Sequence, residues 1–357
     1  MAETAVSDVS REAKRRLRLI VETYYDVQEV RIETEHRIRQ YAEHEAFVSV
    51  VGEARAEGAR LEGMEAYRKA VKAASKDERF PEAFQSSVAK LVDAEHHKSV
   101  NELMRRQEHI LKRQAMEEIG GSPLWTSWLS RVYGIGPCLA GGLIAWLDPT
   151  RWRHESQLWK YMGLAVTIEK WKCHACQKEI DHHPSLVGPD RPHPACPACG
   201  NQMGVIGHAD RREKGKKLGY NPRCKVLAYK IGESFVRCSA EKSGYRRLYD
   251  QFRAKIQNAP CSKVHKDDQG NVIPCFDAHK HAKAKRLVVK IFISHLYRVW
   301  RGLLGLPVTQ PYPYEKLSAP APGQPEGGPF KYWVGHDPAG IIEPIYDVAA
   351  ETSAEEE

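Results

Sequence analysis

Four of the nine cysteines in this chain stand as two pairs, Cys173-x2-Cys176 and Cys196-x2-Cys199, with 19 residues between the pairs. A C-x-x-C turn brings its two sulfurs to one point, so two such knuckles at this separation can place four thiolates tetrahedrally around one Zn2+. Because sulfur fills all four positions, the metal is expected to be structural; a catalytic zinc keeps a position open for water. The surrounding insert, about residues 169–207, is expected to form a zinc ribbon that displays Trp171 and Arg191 on its surface.

A second constellation follows in CSKVHKDDQGNVIPCFDAHKH. Here Cys261-x3-His265 and Cys275-x3-His279, with His281 in reserve, flank the turn signal Asp268-Gln269-Gly270-Asn271. Folded at that turn, the two pairs could meet as a second zinc site of two cysteines and two histidines; the alternative is a histidine-rich loop of about residues 258–281 without metal.

Phosphate-binding chemistry is concentrated in two basic segments. Arg211 to Lys230 holds eight Lys or Arg against one Glu, including Arg211, Arg212, Lys214, Lys216 and Lys217. Between Ala278 and Arg301 there are seven Lys or Arg and no acid. In that second segment Ala284, Leu287, Val288, Ile291, Phe292, His295, Leu296 and Val299 recur at helical spacing. Lys283, Arg286, Lys290, Tyr297 and Arg301 recur on the far side, so one face is expected to be core and the other a cationic stripe. A bland solvated face has the same pattern, but two nearly acid-free segments together favour a polyanion, with binding that weakens as salt rises. The net charge of +8 agrees.

The third element is RVYGIGPCLAGGLIAW, Arg131 to Trp146. Gly134-Ile135-Gly136-Pro137 between two short helices allows a tight turn and a close approach by a ligand, while the amides that open the next helix form an anion site. Ala140, Gly141 and Gly142 permit close helix packing. This is the logic of a helix-hairpin-helix, which holds a nucleic-acid backbone regardless of sequence; a plain glycine turn in a helical core is the competing interpretation.

These sites need a scaffold, and the periodicity makes it mainly α. Residues 1–121 are expected to form a helical arm. Leu17, Ile20, Tyr24, Val27, Arg31, Thr34, Ile38 and Tyr41 alternate steps of three and four, the spacing of a coiled-coil seam, and Asp77 to Pro81 breaks the pattern. A second arm helix is expected from Pro81 to Gly120-Gly121. Residues 122–306 form a helical domain that carries the hairpin, the ribbon and the second Cys/His loop. Residues 307–357, dense in Pro and Gly and acidic at the end, are expected to be a disordered tail. The apolar runs Leu139 to Leu147 and Leu287 to Leu296 fall short of the roughly 20 residues of a membrane span. With no signal-peptide pattern and with cysteines spaced for metal, a cytoplasmic protein is expected.

The ordered segments VYGIGPCLAGGLIAWLDPTRW, SQLWKYMGL, LGYNPRCKVLAYKIGES, YRRLYDQFRAK and HAKAKRLVVKIFISHLYRVWRGLLG resemble the C-terminal half of the insertion sequence 110 / 116 / 902 family of transposases. The resemblance runs from about Leu124 to Gly305, interrupted by the ribbon, and the arm is similar to that family's coiled coil. It implies DNA binding in transposition or recombination, with structured RNA as a further partner, and a homodimer or larger assembly through the arm. Two departures stand out. The family's N-terminal RNase H-like domain with four acidic metal ligands has no counterpart before the arm. The family's nucleophilic serine precedes the basic helix matched by Pro222 to Ser234, yet Met203 to Tyr220 contains no serine, and Ser234, Ser239 and Ser243 lie beyond that position. No catalytic residue is therefore assigned. An active recombinase with divergent or partner-supplied residues and a non-catalytic assembly adaptor remain the alternatives.

Overall fold

The computed structural model describes residues 9–93, 95–165, 167–173, 175–181, 194–201, 203–208, 214–215, 217–257, 265–266, 269, 272–273 and 276–309. The fold is mainly α-helical, as the periodicity predicts, with eleven α-helices and two small sheets among the described residues. None of the described helices is long and apolar enough to cross a membrane. The expected tail, beyond residue 309, lies outside the described residues. The chain divides into two compact units, Arg15–Glu118 and a second made of Met1–Lys14 with Ile119–Glu357.

In the first unit the seam of α1 (Arg11–Val51) faces α5 (Glu95–Ile119) of the same chain. Arg16 donates two hydrogen bonds to Glu118 at 2.6 and 3.1 Å, the Lys112 ammonium sits 5.5 Å from the Tyr24 ring centre, and Arg31 reaches Glu108 at 2.5 Å. Positions on α5 fall as those on α1 rise, so the helices run antiparallel. Leu17 and Tyr24 are buried, but Tyr41 is exposed and Ala42 and Ala46 are buried instead. A straight helix drifts against a strict heptad, so the seam leaves the expected register near its end. Gly52 and Gly63 then start α2 (Glu53–Leu61) and α3 (Met64–Ala74), breaks that the coiled-coil expectation does not contain. With α4 (Phe80–Asp93) they close a cluster of Ala46, Phe47, Ala56, Ala74 and Phe80. The expected second helix from Pro81 falls on α4 and α5, and residue 94 between them lies outside the described residues.

The second unit is built around α11 (Asp277–Leu303), against which α6 (Pro123–Ser127), α8 (Glu155–Tyr161), α9 (Pro222–Arg237) and α10 (Gly244–Gln257) pack. Phe292 stacks on Trp128 and takes Phe235 and Tyr245 edge-on, and the Tyr245 hydroxyl meets His295 Nδ1 at 2.9 Å. Every residue from Ile291 to Arg301 is buried. The cationic stripe is therefore not a continuous solvated face. Tyr297 donates to the Arg153 carbonyl at 2.6 Å, and Arg301 donates to the carbonyls of Pro149, Trp152 and Pro307 at 2.7, 2.9 and 2.7 Å. A helix enclosed on all sides buries its polar face too, and its cations then satisfy backbone carbonyls.

Glu155, at the start of α8, is 5% exposed. Burial pushes its pKa up to about 7, against weaker downward pulls from Ser294 and Arg298.

Between α8 and α9 lies the insert, a three-stranded antiparallel sheet in the order β2-β1-β3: β1 (Thr167–Cys173), β2 (Glu179–Asp181) and β3 (Met203–His208). Trp171 is not displayed on its surface. At 1% exposed it is the centre of the ribbon's own small core, with Cys173, Cys196, Met203 and Ile180, because it is the one large aromatic ring that so small a sheet has to bury. Arg191 lies outside the described residues.

Candidate metal centre and nucleic-acid interface

The two cysteine knuckles are equivalent turn for turn. Cys173 N–H donates to the Lys178 carbonyl and Cys196 N–H to the Asn201 carbonyl, each five residues on, at 2.9 and 2.8 Å. Gln177 N–H returns to the Cys173 carbonyl and Gly200 N–H to the Cys196 carbonyl, each four residues back, at 3.0 and 2.9 Å. Gln177 and Gly200 accordingly both take left-handed backbone, φ 61° and 73°. Folding one turn against the other brings Cys173 Sγ to 3.4 Å from Cys199 Sγ and Cys176 Sγ to 3.4 Å from Cys196 Sγ, and all four sulfurs lie within 4.8 Å of one another. Four thiolates at about 2.3 Å from a tetrahedral ion stand about 3.8 Å apart, so this cluster can hold one metal ion.

The electrostatics prepare it. The backbone amide of Cys176 holds the Cys173 thiol down to about 6, and the amide of Ala198 lowers Cys196. Cys176, although its own backbone bond with Lys178 pulls it down, is pushed up to about 12 by the three thiols around it. A cation in place of the shared protons removes that conflict. Among the described residues these cysteines are the one group of three or more His, Cys, Asp or Glu able to hold a metal ion.

The second Cys/His loop is described only in part. His265–Lys266 (β4) pairs antiparallel with Val272–Ile273 (β5), so the chain does reverse across the expected turn. Cys261 and Cys275 lie outside the described residues. His279 opens α11, and His281 Nδ1 is 2.7 Å from the Tyr249 hydroxyl.

The hairpin joins a 3-10 turn, Leu129–Arg131, to α7 (Pro137–Trp146). Its glycines do different things. Gly134 has φ 103° and lies against α9, where an added Cβ would come within 2.9 Å of Cys238 Sγ and 3.2 Å of Phe235. Ser234 Oγ donates to the Gly134 carbonyl at 2.5 Å. Gly134 is thus required by the fold itself. Gly136 is the N-cap of α7 with φ −90° and ψ 176°, a conformation open to any residue, and a Cβ there would have nothing within 4 Å. Neither strain nor packing demands glycine at 136. Between them Ile135 is buried, and Pro137 presets the first helical turn. The first bond inside α7 runs from Ala140 N–H to the Gly136 carbonyl at 3.0 Å, which makes Gly136 the cap of the helix. The close packing expected of Gly141-Gly142 is seen at Gly142, whose neighbour is Leu227 of α9 rather than the preceding helix.

Cations frame this turn that the sequence did not single out. Arg131 is exposed and bonds back to the Ser127 carbonyl. Lys242 is exposed, with its ammonium 6.0 Å from the ring centre of Tyr133. Cys238 Sγ lies 3.1 Å from the Ser234 carbonyl and 3.9 Å from that of Tyr133, so the end of α9 sits beside the hairpin. The order of the chain gives no signal for this, since some hundred residues of ribbon and helix separate Tyr133 from Cys238. Ser234, the serine nearest the hairpin, is committed to Gly134, and Ser243 Oγ accepts from Arg246 N–H at the head of α10.

The expected basic residues differ in exposure among those the structure describes. Lys214 and Lys217 are exposed, whereas Arg211, Arg212 and Lys216 lie outside the described residues. Arg286 is exposed and Lys283 half-buried. Lys290 lies 5.2 Å from the ring centre of Trp159, and burial lowers its pKa. In comparisons with known proteins, no family model matches this chain, no curated protein matches it and no solved structure matches it.

Proposed function

We propose that this chain is a nucleic-acid-binding protein of transposase type, acting in DNA transposition or recombination, that holds phosphates with the Gly134–Pro137 hairpin and adjoining basic side chains. One observation carries this proposal: Gly136 is a glycine for which the fold has no need, at the head of a helix, with Arg131 and Lys242 nearby. A bare N-cap leaves the positive end of the helix dipole open to a phosphate that a side chain would screen. The resemblance to transposases supports the same assignment, as do Lys283 and Arg286 on the accessible part of α11.

The metal at the four cysteines is Zn2+ in a structural role, since four soft thiolates in tetrahedral array suit zinc and leave no open position. A second zinc at Cys261, His265, Cys275 and His279 belongs to the same proposal. The arm, whose seam also pairs within the chain, is the proposed dimer contact. Fluorescence anisotropy with duplex DNA and with structured RNA, titrated across salt, tests the binding. Affinity should fall steeply with salt, and Lys283→Glu with Arg286→Glu should weaken it and flatten the salt slope. Absence of binding to either probe refutes the proposal. Metal analysis of the purified chain reads about one zinc for the four-cysteine site alone and about two if the second site is real.

A further inference from the structure

The outer face of α9 carries an aromatic side chain that the hairpin does not use. Tyr229 is 59% exposed and Val226, three residues before it, is 54% exposed. An isolated exposed tyrosine would mean little, but this one is supported from below. Gly232 lies so close to α11 that a Cβ would come within 2.6 Å of Lys285 Cγ. Across that gap the buried Lys285 stem passes to the surface of α9, where its ammonium sits 4.0 Å from the Tyr229 ring centre and pairs with the Glu233 carboxylate. Lys285 and, less strongly, the Tyr229 hydroxyl hold Glu233 below its usual range. A second pairing of a cation with a ring lies where the chain enters α9: the Lys225 ammonium is 4.3 Å from the Tyr220 ring centre and 3.2 Å from its hydroxyl.

We infer that Tyr229 is a stacking platform for an unpaired base of a nucleic-acid strand whose phosphates run past Lys225 and Lys230. This rests on the nucleic-acid-binding proposal above. Three features select that occupant. The ring is fixed before binding, so little side-chain entropy is lost. A cation already occupies one π face, which disfavours a second cation from a protein partner on the other and leaves it suited to a flat π system. The flanking lysines supply the charge that a strand's phosphates need, and aromatic rings interleaved with cations are the usual platform for single strands.

The test uses the full-length, metal-loaded chain with a short single strand carrying 2-aminopurine, and with a duplex of the same sequence. Binding of the single strand should quench the 2-aminopurine. Tyr229→Leu should weaken single-strand binding about ten-fold and abolish the quench, while duplex affinity stays within about two-fold. Tyr229→Phe, which keeps the ring, should retain both affinity and quench. If Tyr229→Leu leaves single-strand binding unchanged, or weakens both probes equally, the platform is refuted while nucleic-acid binding stands. If the unaltered protein binds neither probe, both proposals fail together.

Discussion

The four-cysteine knuckles and the Gly134–Gly136 hairpin are both turns that leave a helix or strand to build a site, yet they hold their chemistry in different places. In the knuckles it lies in side chains, and two short spacings converge on sulfurs within 4.8 Å of one another. In the hairpin it lies in the backbone, where glycine reports both a demand of the fold and an opening for a ligand. Backbone and packing separate the two: Gly134 has φ 103° and faces Cys238 and Phe235, whereas Gly136 has φ −90° and faces open space. A site made of side chains can be read from spacing. A site made of backbone needs the neighbours that spacing does not name.

The contrast can be broken most forcefully at the metal. Binding of structural zinc is worth on the order of 10 kcal/mol to the fold it closes. Chelation, or Cys173→Ser, should therefore unfold the ribbon, seen as loss of the Trp171 near-ultraviolet dichroism and rapid hydrogen exchange in β1 and β3, with helix content nearly unchanged. Global loss of helix on chelation would show that the ribbon is no separate element. A change in the helical core should disturb neither site. Glu155, raised from 4.5 to about 7 on folding, is a buried acid that holds its proton, so the native state loses stability as pH rises from about 4.5 through about 7. Glu155→Gln should remove that slope and stabilise the protein above pH 7 by up to about 3 kcal/mol in thermal melts, leaving metal content alone.

Gly134→Ala sets a left-handed backbone and a close sulfur contact against an added methyl, and should cost about 2 kcal/mol by denaturant titration. A neutral result would place the turn's specificity elsewhere. The smallest effect falls within the knuckles: Gln177→Gly should stabilise the metal-loaded ribbon, and Gly200→Ala destabilise it, by about 1 kcal/mol each, because both positions are left-handed. Unequal responses there would deny the equivalence of the two turns.

Much of this was legible in the chain because local rules decide it. Helical periodicity marked α1 and α11, and the C-x-x-C pairs marked the metal cluster. Enclosure was not legible. The far side of α11 has a polar pattern, yet Tyr297 and Arg301 are buried because α8 and its preceding loop close over them. Trp171 followed the same rule in miniature, since a ribbon of three strands needs its one large ring inside. Lys242 went unnoticed because the fold, and not the order of the chain, sets it beside Tyr133.

Gly136→Asp separates stability from binding in one protein. Aspartate is a preferred N-cap, and the backbone at 136 already has a suitable conformation, so the variant should melt at or above the temperature of the unaltered chain and keep its metal. Its carboxylate would occupy the place proposed for phosphate, so duplex DNA affinity at low salt should fall at least about ten-fold. A variant that is equally stable and binds DNA as tightly as the unaltered chain would contradict a phosphate site at the head of α7.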